Sequence, residues 1–78
     1  MNTQKLKVGD LVEVIHYAAW MKGGSKLRVG TVVKKGVGGA VVKLGPNNAE
    51  VRFKKSGLGV HNSPAGGHRI VALLRAGK

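Results

Sequence analysis

Apolar residues in this chain recur mostly at every second position, in short runs separated by glycine. The clearest case is residues 49–55, where Val51 and Phe53 point one way and Glu50, Arg52 and Lys54 the other. That alternation is the signature of a half-buried β-strand. Residues 9–17 form a similar run opened by Gly9-Asp10, with Val12 and Val14 sharing a face. Residues 26–35 predict a second strand with Leu27, Val29, Thr31 and Val33 on one side. Residues 40–44 predict a third strand and residues 68–74 a fifth. Between the third and fourth, Gly45-Pro46-Asn47-Asn48 has turn chemistry, because Pro presets φ and Asn tolerates the left-handed region.

Glycine supplies the punctuation. Thirteen glycines break the chain into pieces too short for helices, and residues 18–25, 36–39 and 56–67 read as loops. The long loop 56–67 has room for one short helical turn. Five strands at roughly ten-residue spacing predict an all-β fold, a single small five-stranded SH3-like barrel. Closure would remove the exposed edges that invite aggregation. A sandwich usually needs about seven strands, and an OB-fold needs a helix where this chain has only Gly45 to Asn48. Residues 1–78 form one domain, with the barrel core at about 7–74 and short basic termini. The segment 1–7 is polar and basic with no apolar signal region behind it, and no apolar run approaches a membrane span. The expectation is a soluble cytoplasmic protein with no membrane contact.

Charge then narrows the function. Fourteen Lys and Arg face three acids, a formal net charge of +11 on 78 residues. Solubility of a small domain needs a net charge of only about 2–8. The excess lies on the strands themselves, at Arg28, Lys34, Lys35, Lys43, Arg52, Lys54 and Lys55. A folded cationic β-surface selects the phosphate backbone of nucleic acid, RNA or DNA. Outward-facing members of neighbouring strands stand about 5 Å apart and make one positive face. Lys22 would hold a further phosphate beside Trp20, a candidate for stacking on an unpaired base or for capping the barrel. With only Tyr17 and Phe53 beside Trp20, aromatics are few, which favours backbone contacts over base reading.

The N-terminal half resembles a KOW-type SH3-like domain. The likeness lies in Lys7-Val8-Gly9-Asp10-Leu11-Val12-Glu13-Val14 and in Gly30-Thr31-Val32-Val33-Lys34-Lys35 some twenty residues on. It spans residues 7–44 and implies a module of ribosomal or transcription-elongation type, one that contacts RNA or RNA polymerase. An alternative reading is a protein-interaction module that docks on RNA polymerase or the ribosome through Tyr17, Trp20 and Met21. Its size would suit a phage- or plasmid-encoded regulator of transcription. A third reading is a structural subunit that associates through exposed Leu58 and Val60.

Catalysis is not expected. Asp10, Glu13 and Glu50 are too sparse for an acid–base pair, and Asp10 reads as a cap on the turn that opens the first strand. Gly36 to Gly39 and Gly57 to Gly59 lack the Gly-Lys-Ser/Thr ending of a phosphate-binding P-loop. Cysteine is absent, and His16, His61 and His68 are scattered without metal-ligand spacing, so no metal and no cofactor is expected. The Val-Gln-Ile-Tyr signature of the plasmid-type dihydrofolate reductase, an SH3-like barrel of similar size, is also absent.

Overall fold

A computed structural model describes residues 1–18 and 25–77. A 3-10 turn at Thr3–Lys5 precedes five strands: β1 (Leu11–Ala18), β2 (Ser25–Gly36), β3 (Gly39–Leu44), β4 (Ala49–Lys54) and β5 (Gly66–Arg75). All pairings are antiparallel, and the order across the one sheet is β4-β3-β2-β1-β5. The fold is all-β, as the alternating pattern predicts. The β3–β4 turn follows its chemistry, with Asn48 in the left-handed region at φ 57°.

The edge strands do not pair with each other, so the sheet is not closed in the way the sequence reading expects. The segment Gly57 to Val60 stands between them instead. Lys54 N–H donates to the Leu58 carbonyl and Val60 N–H to that of Arg52, on the β4 side. Gly59 N–H donates to the His68 carbonyl, and Ile70 N–H to that of Gly57, on the β5 side. Part of the predicted loop 56–67 is therefore a splint between the two edges, where isolated bridges Phe53–Gly59 and Leu58–Arg69 form. This satisfies edge groups that would otherwise invite another strand.

The concave face of the sheet holds the core: Val12 and Val14 from β1, Val32 from β2, Ala40, Val42 and Leu44 from β3, Phe53 from β4 and Ile70 from β5. Leu6, from the segment read as a polar start, is fully buried among them. On β2 the apolar side is the outward one. Leu27 and Val29 are 59% and 48% exposed, whereas Gly30 and Val32 turn inward. Gly30 pairs with Val12 on one side and Leu44 on the other. A Cβ there would stand 2.5 Å from Val42 Cγ1 and 2.7 Å from Leu44 Cδ2. The side chains of β3 fill the space above Gly30, so the inward face of β2 is marked by a missing side chain. A register shift between Val32 and Lys34 then resets the alternation toward the end of the strand.

Candidate nucleic-acid interface

β2, β3 and β4 are neighbours, and their register decides which cations share a face. Lys34 stands opposite Val41, which stands opposite Arg52; Lys43 stands opposite Thr31 and Glu50. Val41 and Lys43 alternate with buried Ala40, Val42 and Leu44, so both point to the convex side. Lys34, Lys43, Arg52 and Lys54 therefore belong to one convex face, with Lys34 and Arg52 two strands apart, roughly 10 Å. All four are exposed. Glu50 is the one acid in these rows, opposite Lys43. Glu13 lies on the same side farther along, opposite Val29, and Asp10 is buried elsewhere.

Three of the other expected contacts separate from this face. Lys35 pairs with the inward-facing Ala40, and its Nζ donates to the Gln4 carbonyl at 2.8 Å, over the 3-10 turn. Arg28 pairs with buried Val14, which places it on the concave side, where its Nη2 donates to the Gly45 carbonyl at 2.9 Å. Lys55 lies past the end of β4, and its carbonyl receives Thr3 N–H and Thr3 Oγ1. The register shift at Val33 is the reason for Lys35, the pairing of Arg28 with Val14 the reason for Arg28, and the end of β4 at Lys54 the reason for Lys55. Lys22, Trp20 and Met21 lie outside the described residues. Tyr17 is half-buried on β1, its hydroxyl 3.4 Å from Asn62 Nδ2.

Beside the cationic rows the convex face carries exposed apolar side chains together with Glu13 and Arg69. Leu27 stands opposite Ile15 and Val29 opposite Glu13, with Arg69 flanking Ile15 on β5. Leu58 and Val60, on the splint between the sheet edges, are also exposed, at 42% and 43%.

A second cluster was hidden in the sequence, because its members are fifty residues apart. His16 and His68 face each other across the β1–β5 pairing, and their rings stack with centroids 4.2 Å apart and planes at 5°. His68 also meets Phe53 edge-to-face at 6.5 Å. Its backbone is held by Asn62, whose Oδ1 accepts from His68 N–H and whose Nδ2 donates to the His68 carbonyl, both at 2.9 Å. Asn62 thus acts as one rung of an extra strand. Gly67 makes that approach feasible, since a Cβ there would stand 2.3 Å from the Asn62 amide. Burial first, then the neighbouring His16 and the Arg28 guanidinium, hold the His68 imidazole below its ordinary value. His61 lines the same hollow as the stacked pair. Among the described residues no group of three or more His, Cys, Asp or Glu is placed to hold a metal ion. No helix among them is long and apolar enough to cross a membrane.

Asp10 caps the turn as its position suggests, with Oδ2 accepting from Lys7 N–H at 2.9 Å. It also reaches Gly77 N–H through Oδ1 at 2.6 Å, a contact no local pattern signals.

No family model, curated protein or solved structure matches this chain.

Proposed function

We propose that this protein is a nucleic-acid-binding accessory module, without catalysis, that holds the phosphate backbone of RNA or DNA on the convex face of β2–β4. The observation that carries the reading is the register that gathers Lys34, Lys43, Arg52 and Lys54 on one exposed face with Glu50 the one acid among them. Like charges gathered in this way repel, and an anionic partner relieves the repulsion. The likeness of residues 7–44 to KOW-type domains supports a place beside RNA or the transcription machinery. Few aromatics favour contacts with phosphate over contacts with bases.

Binding of this kind is salt-dependent and tolerant of sequence. If about four to six phosphates are neutralised, log affinity against log salt falls with a slope of roughly −3 to −5. Titration of several unrelated oligonucleotides across a salt series tests this. Similar slopes for all of them are expected, and a flat salt response overturns the reading.

A second reading is docking on a protein surface such as that of RNA polymerase or the ribosome. It draws support from Leu27 and Val29, which stand exposed on the same convex face. Capture of a partner that survives nuclease treatment, lost on Leu27→Ser, would favour it.

A further inference from the structure

We propose that the stacked His16–His68 pair, with Arg28 and Lys26, is a binding site for a phosphate group on the concave side of the sheet, occupied more tightly when the imidazoles carry protons. The site stands on its own geometry and rests on the nucleic-acid reading only for the molecule that carries the phosphate.

Among the described residues, none of the groups that face the pair is acidic. Lys26 on β2 stands directly opposite His16, and Arg28 stands one inward position along, opposite Val14. Lys26, Arg28 and His16 line one hollow with the turn at Gly45 to Asn47. On the other side of His16 a second hollow is lined by His68 from β5, Val51 from β4, Tyr17 from β1, and His61 and Asn62 from the loop. His16 is the wall the two hollows share. Among the described residues no carboxylate lines either one.

Two imidazoles 4.2 Å apart repel when both are protonated, and Arg28 and Lys26 add to that repulsion. A bound anion is what reverses it. Phosphate suits the donors of the first hollow, the His16 imidazolium N–H, the Lys26 ammonium and the Arg28 guanidinium, each able to donate to one of several anionic oxygens, with the His68 ring stacked on His16. Arg28 spends one donor on the Gly45 carbonyl and retains the rest of its five. The backbone of His68 is fixed by Asn62, so the ring is placed before any ligand arrives. His68 is held below its ordinary value in the free protein; a phosphate beside it shifts it the other way. Linkage makes the effect reciprocal, so that acid strengthens phosphate binding by the same factor that phosphate strengthens proton binding.

The test is an NMR titration of the histidine rings from about pH 8 to pH 5 in a buffer free of phosphate, repeated with inorganic phosphate and with chloride at matched ionic strength. Phosphate is expected to raise the midpoints of His16 and His68 above those in chloride. Arg28→Gln is expected to weaken phosphate binding at acid pH roughly tenfold, the loss of one charge-assisted contact. A third arm uses an oligonucleotide without terminal phosphates. A response to both ligands identifies a phosphodiester backbone as a competent carrier; a response to inorganic phosphate alone identifies a small phosphate and leaves the site standing. Equal midpoints in phosphate and chloride overturn the site. A variant with Gln at Lys34, Lys43 and Lys54 separates the two readings. It is expected to lose oligonucleotide affinity near pH 8 while its histidines still respond to inorganic phosphate.

Discussion

Asp10 and Gly77 are joined by a hydrogen bond of 2.6 Å, from the Gly77 backbone N–H to the Asp10 carboxylate, across 67 residues of chain. The other carboxylate oxygen accepts from Lys7 N–H, and the Asp10 carbonyl accepts from Val32 N–H. One buried acid therefore ties the segment before β1, the middle of β2 and the segment after β5. Asp10→Asn leaves an amide with one accepting oxygen for two N–H donors, and the thermal midpoint should fall. The bonds from Gly77 and Lys7 hold the carboxyl below its ordinary value of 3.8. Its contribution is therefore complete above that value and is lost as pH falls through the lower, folded value. Melts of both proteins from neutral pH to about pH 3 should show the gap between them narrowing at the acid end. A constant gap would mean that the charge on Asp10 is irrelevant.

Phe53 is 2% exposed at the centre of the core, and its neighbour Arg52 points to solvent. Phe53→Ala should cost about 3–5 kcal/mol, a large part of the stability of a domain this small. Arg52→Ala should leave the thermal midpoint nearly unchanged. Equal losses in paired melts would contradict the facing of β4.

The outward facing of Leu27 on β2 has a direct test of its own. Val32→Ala removes buried methyl groups and should cost about 2 kcal/mol. Leu27→Ser alters an exposed side chain and should change stability by about 0.5 kcal/mol or less. If Leu27→Ser proves the more damaging change in urea titrations, Leu27 is buried by association or by refacing of the strand.

Neutralising Lys34, Lys43, Arg52 and Lys54 with Gln removes the convex cations without touching the core. Oligonucleotide affinity should fall by orders of magnitude, and the salt slope should become shallower by about 3. Lys35→Gln alone should do much less, because Lys35 Nζ is turned toward the Gln4 carbonyl. A Lys35 effect as large as that of the fourfold change would move the interface to the rim of the sheet.

His68 predicts a second pH dependence of stability. Its folded value lies below the ordinary 6.5, chiefly through burial, then through His16 and Arg28. As pH falls past 6.5 the unfolded chain takes up the proton first. Stability that is complete above this value drains away as pH falls through the folded one. Thermal midpoints measured from about pH 7.5 to pH 5 should decline for the parent protein and less steeply for His68→Gln. Parallel curves would assign the decline to another group.

The sequence by itself determined the number of strands, their approximate bounds, the turn at Gly45 to Asn48, the inward facing of Val12, Val14, Val51 and Phe53, and the excess of positive charge. Each of these is a local property, written in a period of two, in turn residues or in composition. It grouped Leu27 and Val29 on one side of β2 but did not determine whether that side is buried or exposed. Only the crowding of Val42 and Leu44 over Gly30 decides that face, and a glycine announces nothing about what packs above it. Nor did it determine which cations stand together. A single register shift at Val33 turns Lys34 outward and Lys35 inward, the reverse of plain alternation from Val32, and pairing across β1–β2 sends Arg28 to the opposite face from Arg52. The burial of Leu6, the splint of Gly57 to Val60 between the sheet edges and the stack of His16 on His68 are likewise tertiary. Each joins residues far apart in the chain, and the local pattern on either side carries no signal of its distant partner.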